Sequence, residues 1–387
     1  MGAALALALQ DSGVSVVLTE ARSADTNGAR SADTNGARNA DASSTHNGKS
    51  GDVRAIALSY ASRLILERLH AWSALPVTPI ETIHISQRGG FGRTLIHAAD
   101  CGLPALGYVA SYDDLQQSLL AAPCSAKRLF GATLTAFDGA TALVQTQAGE
   151  LAFAPRLTVF ADGARIAENG PAPTYSKDYQ QTAVVAWVKT EQAHHGRAWE
   201  RFTPEGPLAL LPHGAGCSLV WTASPGRAAQ LCALDAPAFL TQLHAAFGDR
   251  LGAFLEAGER RGFPLALRYR REEARPRSLA VGNAAQTLHP VAGQGFNLGL
   301  RDAWELAVLA RDAGELGGDV FCARYRRARA LDRRAGIQFT DSLVGLFSTS
   351  DALLTLGRGA GLLALDLLPF ARRFVARRMI YGANGLP

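Results

Sequence analysis

The segment Leu279–Ala303 constrains the fold of this chain more than any other. Leu279-Ala280-Val281 reads as a short buried strand. After Gly282-Asn283-Ala284-Ala285 the run His289-Pro290-Val291-Ala292-Gly293-Gln294-Gly295-Phe296-Asn297 leads into a helix expected from about Leu298. Glycines let the backbone approach a ligand, and the N–H groups that open the following helix suit a phosphate or a polarised ring edge. A purely structural loop has little need of so long and ordered a string.

Two weaker patterns point the same way. Residues 2–12 are small and apolar at helical density, with Gly13 where a helix C-cap belongs, and Val14–Leu18 reads as a strand ending at Thr19-Glu20. Gly2 is placed to let that helix pack closely on the strand, and Glu20 to bind ribose hydroxyls. A helix followed by a strand is the second half of a βαβ unit. Its first strand and its glycine turn are not in the sequence, so a late start or a truncation is expected, with weakened cofactor binding. The second pattern is Thr158-Val159-Phe160-Ala161-Asp162-Gly163, an apolar strand ending in Asp-Gly. Alone it would pass for an ordinary turn.

Residues 22–51 are of another kind. SADTNGAR occurs at 23–30 and again at 31–38, followed by a Ser/Thr/Asn/Gly tail. With almost no apolar side chains the segment cannot offset its ordering entropy, and a disordered, dispensable surface loop is expected. Beyond it the pattern is helical from Arg54 to Leu69. Strand-like alternation occupies 80–100 and 180–225, a helix 112–122, and the rest after Leu298 is mostly helical. Strand and helix blocks interleave, so an α/β domain assembled from separate pieces is expected, with a sheet-rich domain inserted.

Composition removes several classes. Of 387 residues 48% are apolar and 19% charged, which suits a globular chain long enough for two domains. A net charge of +5 without a basic, aromatic-laced stripe argues against a nucleic-acid partner. The five cysteines are scattered, which argues against a disulfide framework and a zinc site.

Taken together, these residues resemble the class A flavoprotein monooxygenases. Residues 281–303 are similar to their second FAD motif, G-D-A-A-H-…-P-…-G-Q-G-x-N-x-G-…-D-A, with Asn283 in place of the Asp. Asp162-Gly163 is similar to their D-G motif. Asp52–Ser59 and Arg201–Pro212 resemble segments of the ubiquinone-biosynthesis hydroxylase branch, typified by 2-polyprenyl-6-methoxyphenol hydroxylase.

The resemblance implies a p-hydroxybenzoate hydroxylase-like α/β fold: a Rossmann-like FAD-binding domain from 1–79, 105–172 and 275–330, a β-sheet substrate domain from 80–104 and 173–274, and C-terminal helices from 331–387. It assigns Gly2 and Glu20 to the ADP half of FAD and Arg54 to its phosphates or ribityl chain. Asp162 and Gly163 go to the pyrophosphate and nicotinamide path, and Gly282 and Asn283 to the ribityl chain. Pro290, Gly293, Gln294, Gly295 and Asn297 would line the isoalloxazine ring, with His289 a weak catalytic candidate and no metal required.

The implied reaction is NAD(P)H- and O2-dependent hydroxylation of a polyprenylated phenol through a flavin C4a-hydroperoxide. Cytoplasmic residence is expected, with a role in a biosynthetic complex. Peripheral contact with the inner membrane surface is expected through 361–378, where leucines precede Arg372, Arg373, Arg377 and Arg378. Two alternatives stay open: a related flavoprotein hydroxylase or reductase for a soluble aromatic, or a FAD-deficient remnant serving only as a complex partner.

Overall fold

The computed structural model describes residues 1–21, 54–163, 174–270, 276–347 and 352–383. The repeat-bearing segment expected to form a loop lies outside them. Nine α-helices occur among the described residues: α1 (Gly2–Ala8), α2 (Tyr60–Arg68), α3 (Tyr112–Ala121), α4 (Pro225–Ala233), α5 (Ala236–Phe247), α6 (Gln294–Arg311), α7 (Asp319–Phe347), α8 (Ala352–Leu367) and α9 (Pro369–Tyr381).

The nucleotide-binding part is built on parallel strand pairs, as α/β folds require. Val17–Glu20 runs parallel to Lys127–Phe130, and Thr158–Phe160 runs parallel to Ser278–Ala280. Helix α1 is buried from Ala4 to Ala8 and packs with α2, α6 and the start of α7 around Ile65, Leu66, Leu300 and Tyr325. It ends at Ala8 rather than at residue 12, and the following strand starts at Val17 rather than Val14.

Arg54–Leu69 is not one helix. Ala55–Ser59 is a strand, antiparallel to Gly107–Ser111, and Ser59 then caps α2 by accepting from the Ser62 N–H at 3.2 Å. The small and apolar residues Ala-Ile-Ala-Leu fit either state, and the partner strand decides between them.

The second layer is a nine-stranded sheet. Its order is Gln286–Thr287, Arg261–Arg270, Thr174–Thr190, Gly216–Ala223, Gly206–His213, Arg197–Thr203, Thr82–Gln87 and Arg93–His97, with Phe254–Ala257 also paired to Thr174–Thr190. One face packs α4 and α5 through Trp199, Leu210, Trp221, Phe239 and Phe247. The other face turns toward the nucleotide-binding part, where Phe202 meets Val291 and Phe347, and Ala198 meets Ile80 and Val109. Residues 286–287, inside the glycine-rich segment, pair with Arg268 and Tyr269 and so join this sheet. Helix α7 is continuous across residue 331, so the expected C-terminal region begins inside a helix.

Candidate functional site: a glycine-rich loop facing a deep cavity

The strand Ser278–Ala280 ends in a turn at Gly282, which adopts φ +61°, a backbone state favouring glycine. The Cα of Gly282 lies 2.8 Å from where a Cβ on Gly299 would stand, so turn and α6 meet backbone to backbone. Asp302, fully buried on α6, accepts from the Gly282 N–H at 3.3 Å and from Gln286 Nε2 at 2.7 Å. Arg329 Nε reaches the other oxygen of Asp302 at 2.8 Å, and Arg333 Nε reaches it at 3.3 Å. Burial alone would raise the Asp302 pKa, but the two guanidinium groups outweigh it and hold the carboxyl below its ordinary value. The motif cited above has His at the position of Gln286, a further departure. Here the amide braces Asp302.

Ala292 and Gly293 are consecutive left-handed residues, at φ +60° and +61°. For Ala this state costs roughly 1–2 kcal/mol, and the Gly293 N–H to Pro290 carbonyl bond of 2.9 Å helps hold it. The bend delivers the chain to α6 with Gly293 as N-cap. The first N–H groups of a helix have no intrahelical partner and carry its positive dipole end. A Cβ on Gly295 would meet nothing within 4 Å. An open cradle at a positive helix end fits the electron-rich edge of a flavin ring.

Two motif side chains brace the loop instead of facing the cavity. Asn297 Oδ1 accepts from the Ser59 N–H (2.8 Å) and Ser62 Oγ (2.7 Å). Its Nδ2 donates to the Ala57 carbonyl (2.9 Å) and the Gly293 carbonyl (2.7 Å). The amide thus staples loop and helix to the strand Ala55–Ser59. Gln294 is buried, and its Nε2 donates to the carbonyls of Ala292 (3.2 Å) and Met379 (3.4 Å).

His289, the catalytic candidate, has a structural task. Its Nδ1 accepts from the Val291 N–H at 3.1 Å, and its ring meets Tyr179 edge-on at 5.4 Å. Burial pushes its pKa down to about 4, so the ring is neutral and its proton sits on Nε2.

The other expected residues share one cavity of about 3150 Å³, lined at successive points by Gly2, Glu20, Arg54, Asp162, Gly163, Gly282, Asn283, His289, Pro290, Gly293 and Gly295. Pockets for single small ligands run to about 300–1,000 Å³, so this one has room for a dinucleotide and a second molecule. A Cβ on Gly2, which lines the same cavity, would meet Leu18 Cδ1 at 3.0 Å and Ala161 Cβ at 3.6 Å, which marks a close helix–strand contact. Arg54 lies over the rings of Tyr112 (4.6 Å) and Phe263 (5.4 Å), the latter on the large sheet.

The sequence reading missed Glu200. On the strand Arg197–Thr203, Trp199 faces α5 whereas Ala198 and Phe202 face the nucleotide-binding part. The period-2 pattern puts Glu200 on that second face, and it lines the cavity among Ala198, Phe202, Ala209 and Leu211. Its Oε1 is sealed from solvent without a partner among the described residues, and burial pushes its pKa up to about 7. The sequence gives no signal for it, because Glu200 shares its strand with Arg197 and Arg201, and only the pairing of that strand shows which face is inward.

Fold and loop together define a two-layer flavoprotein in which a nucleotide-binding part and a large sheet enclose one cavity. The FAD binding domain family matches residues 121–339. The chain is 33% identical over 395 residues to ubiquinone hydroxylase UbiL of Rhodospirillum rubrum, covering 98% of this chain and 87% of that protein. It is 32% identical over 336 residues to 3-demethoxyubiquinol 3-hydroxylase of Escherichia coli, covering 81% and 84%. Among solved structures, HpxO of Klebsiella pneumoniae complexed with FAD and uric acid superposes with a TM-score of 0.72 at 15% identity, covering 99% of this chain and 95% of that one. The p-nitrophenol 4-monooxygenase PnpA of Pseudomonas putida superposes at 0.68 and 14% identity, covering 98% and 94%. These structures establish the p-hydroxybenzoate hydroxylase-like fold. The chain belongs to the FAD-dependent monooxygenase family of ubiquinone biosynthesis.

Proposed function

We propose that this chain hydroxylates the ring of a polyprenylated phenol on the way to ubiquinone, consuming NAD(P)H and O2 and releasing NAD(P)+ and water. The observation that carries the reading is the continuous cavity from the glycine-rich loop to a sheet face where Ala198, Phe202, Ala209 and Leu211 form an apolar patch around Glu200. When bound, FAD supplies the redox chemistry linking NAD(P)H, O2 and the ring.

The chain's own residues bind, orient and exclude water. Gly2 and Glu20 would hold the nucleotide end of FAD, Asp162-Gly163 and Gly282-Asn283 the middle, and Pro290, Gly293 and Gly295 the ring edge. Asn297 and Gln294 fix the loop from behind. Phe202, Val291 and Phe347 form an apolar wall, with Phe202 and Phe347 stacked at 3.5 Å between centroids. Such a wall keeps water from the reacting ring. Glu200, set among Ala198, Phe202, Ala209 and Leu211, is suited to receive the phenol hydroxyl, neutral below about pH 7 and an acceptor above it.

We further propose a cytoplasmic enzyme working at the inner membrane surface alongside other ubiquinone-biosynthesis proteins, supported by the apolar character of the substrate tail. The test is incubation of the flavin-loaded protein with NAD(P)H, isotopically labelled O2 and a short-chain prenylated phenol. One labelled oxygen in the product is expected. Label entering only unprenylated, water-soluble aromatics would overturn the reading.

A further inference from the structure

The pair α8–α9 forms an exposed apolar corner that the reaction itself does not require. The two helices meet at 98°, with Leu368 and Pro369 at the bend. Along α8, Leu353, Leu356, Leu363 and Leu367 recur at helical spacing on one outward stripe, with Leu353 80% and Leu367 68% exposed. Across the bend Phe370 and Phe374, one turn apart, are 71% and 61% exposed.

The opposite side of α8 is anchored. The Leu362 carbonyl accepts from Thr94 Oγ1 (2.6 Å), Asp366 accepts from the Leu95 N–H (2.9 Å), and the Thr355 carbonyl accepts from Gln87 Nε2 (3.1 Å). On α9, Ala376 and Ile380 are buried against Ala61 and Leu106. The outward stripe is therefore a fixed surface of the fold.

Among the described residues its exposed charge is of one sign. Arg373, Arg377 and Arg378 are exposed beside the two phenylalanines, and Arg378 lies over the Phe374 ring at 5.4 Å. Arg372, grouped with them from the sequence, is instead committed to Asp100 at 3.0 Å. Exposed aromatic and leucine side chains flanked by arginines match an anionic bilayer interface, into which such faces sink by roughly 5–10 Å. Neither helix alone is long and apolar enough to cross a membrane. The inner side of the same pair walls the cavity through Leu362, Leu365, Val375 and Met379.

We propose that the α8–α9 corner docks on an anionic membrane surface and that the substrate's tail passes from the lipid into the cavity between these two helices. The second half rests on the prenylated-substrate reading, whereas the docking does not. A surface that both inserts and walls the cavity shortens the path of a tail that would otherwise cross water.

Co-sedimentation of the flavin-loaded protein with phosphatidylcholine vesicles, with and without phosphatidylglycerol, tests the docking. Binding should require the anionic lipid and weaken with salt. Each basic residue near such a surface contributes roughly fivefold in partitioning, so R373Q/R377Q/R378Q should bind about 100-fold more weakly. F370S/F374S should lose binding even to anionic vesicles. Both variants should keep the parent's circular dichroism, flavin content and turnover of a short-tailed, water-soluble phenol, because none of these residues lines the cavity. With a long-tailed phenol presented in vesicles, both should turn over more slowly than the parent.

Absence of vesicle binding would overturn the docking, as would binding that neither variant weakens. So would self-association of the parent that F370S/F374S dissolves, without lipid binding. Intact vesicle binding with no hydroxylation of any prenylated phenol would sink the substrate reading and leave the docking standing.

Discussion

Glu200→Gln isolates the energetic consequence of placing a carboxyl in the cavity wall. The carboxyl is driven by burial from an ordinary 4.5 to about 7. At 1.36 kcal/mol per pKa unit this amounts to about 3 kcal/mol, a ceiling because the adjacent cavity admits water. The sign follows from linkage. Below about pH 4.5 both folded and unfolded chains hold the proton, and Glu200 costs nothing. As pH rises from there to about 7 the unfolded chain ionises first, so stability is progressively lost, and above about 7 the loss is complete. Glutamine is neutral throughout and is spared this loss.

The variant should therefore match the parent near pH 4 and exceed it near pH 8. At about 2.1 cal/mol/K per residue over 387 residues the unfolding entropy is near 0.8 kcal/mol/K, so the gain is about 4 °C in Tm, and more if the large sheet melts on its own. Calorimetry without substrate at the two pH values reads it directly. A Tm difference that is the same at both would mean that Glu200 ionises like a solvated carboxylate, refuting the burial argument.

Three further outcomes follow from the site. Gly295→Asp should leave the fold intact, since its Cβ enters open space, yet abolish flavin retention by setting a carboxylate against the ring edge; an unchanged flavin absorbance in the purified variant refutes this. Asn297→Ala should cost about 2–4 kcal/mol, because buried partners on Ser59, Ala57 and Gly293 lose their bonds together; equal Tm values would show that water replaces the amide. Arg329→Met leaves Asp302 to Arg333 and Gln286 alone and weakens the hold on Asp332, to which Arg329 Nη2 bonds at 2.7 Å, and should cost up to about 3 kcal/mol, the low end for breaking a buried pair because both carboxylates keep a second cation. In the parent, burial works against ionised Asp332, but Arg301 and Arg329 hold its pKa near 2. Its stabilising contribution is therefore present above about pH 4 and lost as pH falls through about 2, which acid unfolding of the parent and Asp332→Asn checks.

The parts of the site legible in the sequence were those written in backbone chemistry. The glycines at 282, 293 and 295 and the strand before them announce a turn and a cradle whatever surrounds them, and the structure gathers Gly2, Glu20, Asp162 and Gly163 around the same cavity. What could not be read is what depends on partners far along the chain. Ala55–Ser59 looked helical because its strand partner, Gly107–Ser111, lies some fifty residues on. Asn297 looked like a ligand contact because the Ser59 N–H and Ala57 carbonyl that fill its hydrogen-bonding capacity are invisible in a local motif. Glu200 was hidden by its company, since only the pairing of its strand shows which face is inward. Asp302 sat in plain view at the end of the motif, but its partners on α7 arrive only with the fold.

The two-residue strand Gln286–Thr287 bears on how this enzyme can be re-engineered. By pairing with Arg268 and Tyr269 it extends the substrate sheet's hydrogen-bond ladder into the glycine-rich segment that serves the cofactor. A chimera that replaced only the substrate domain would carry its seam through that ladder and shift the loop it meant to leave alone. A graft intended to change substrate preference should take residues 286–287 with the sheet and place its joint beyond them, between Thr287 and Pro290, where the backbone has left the ladder.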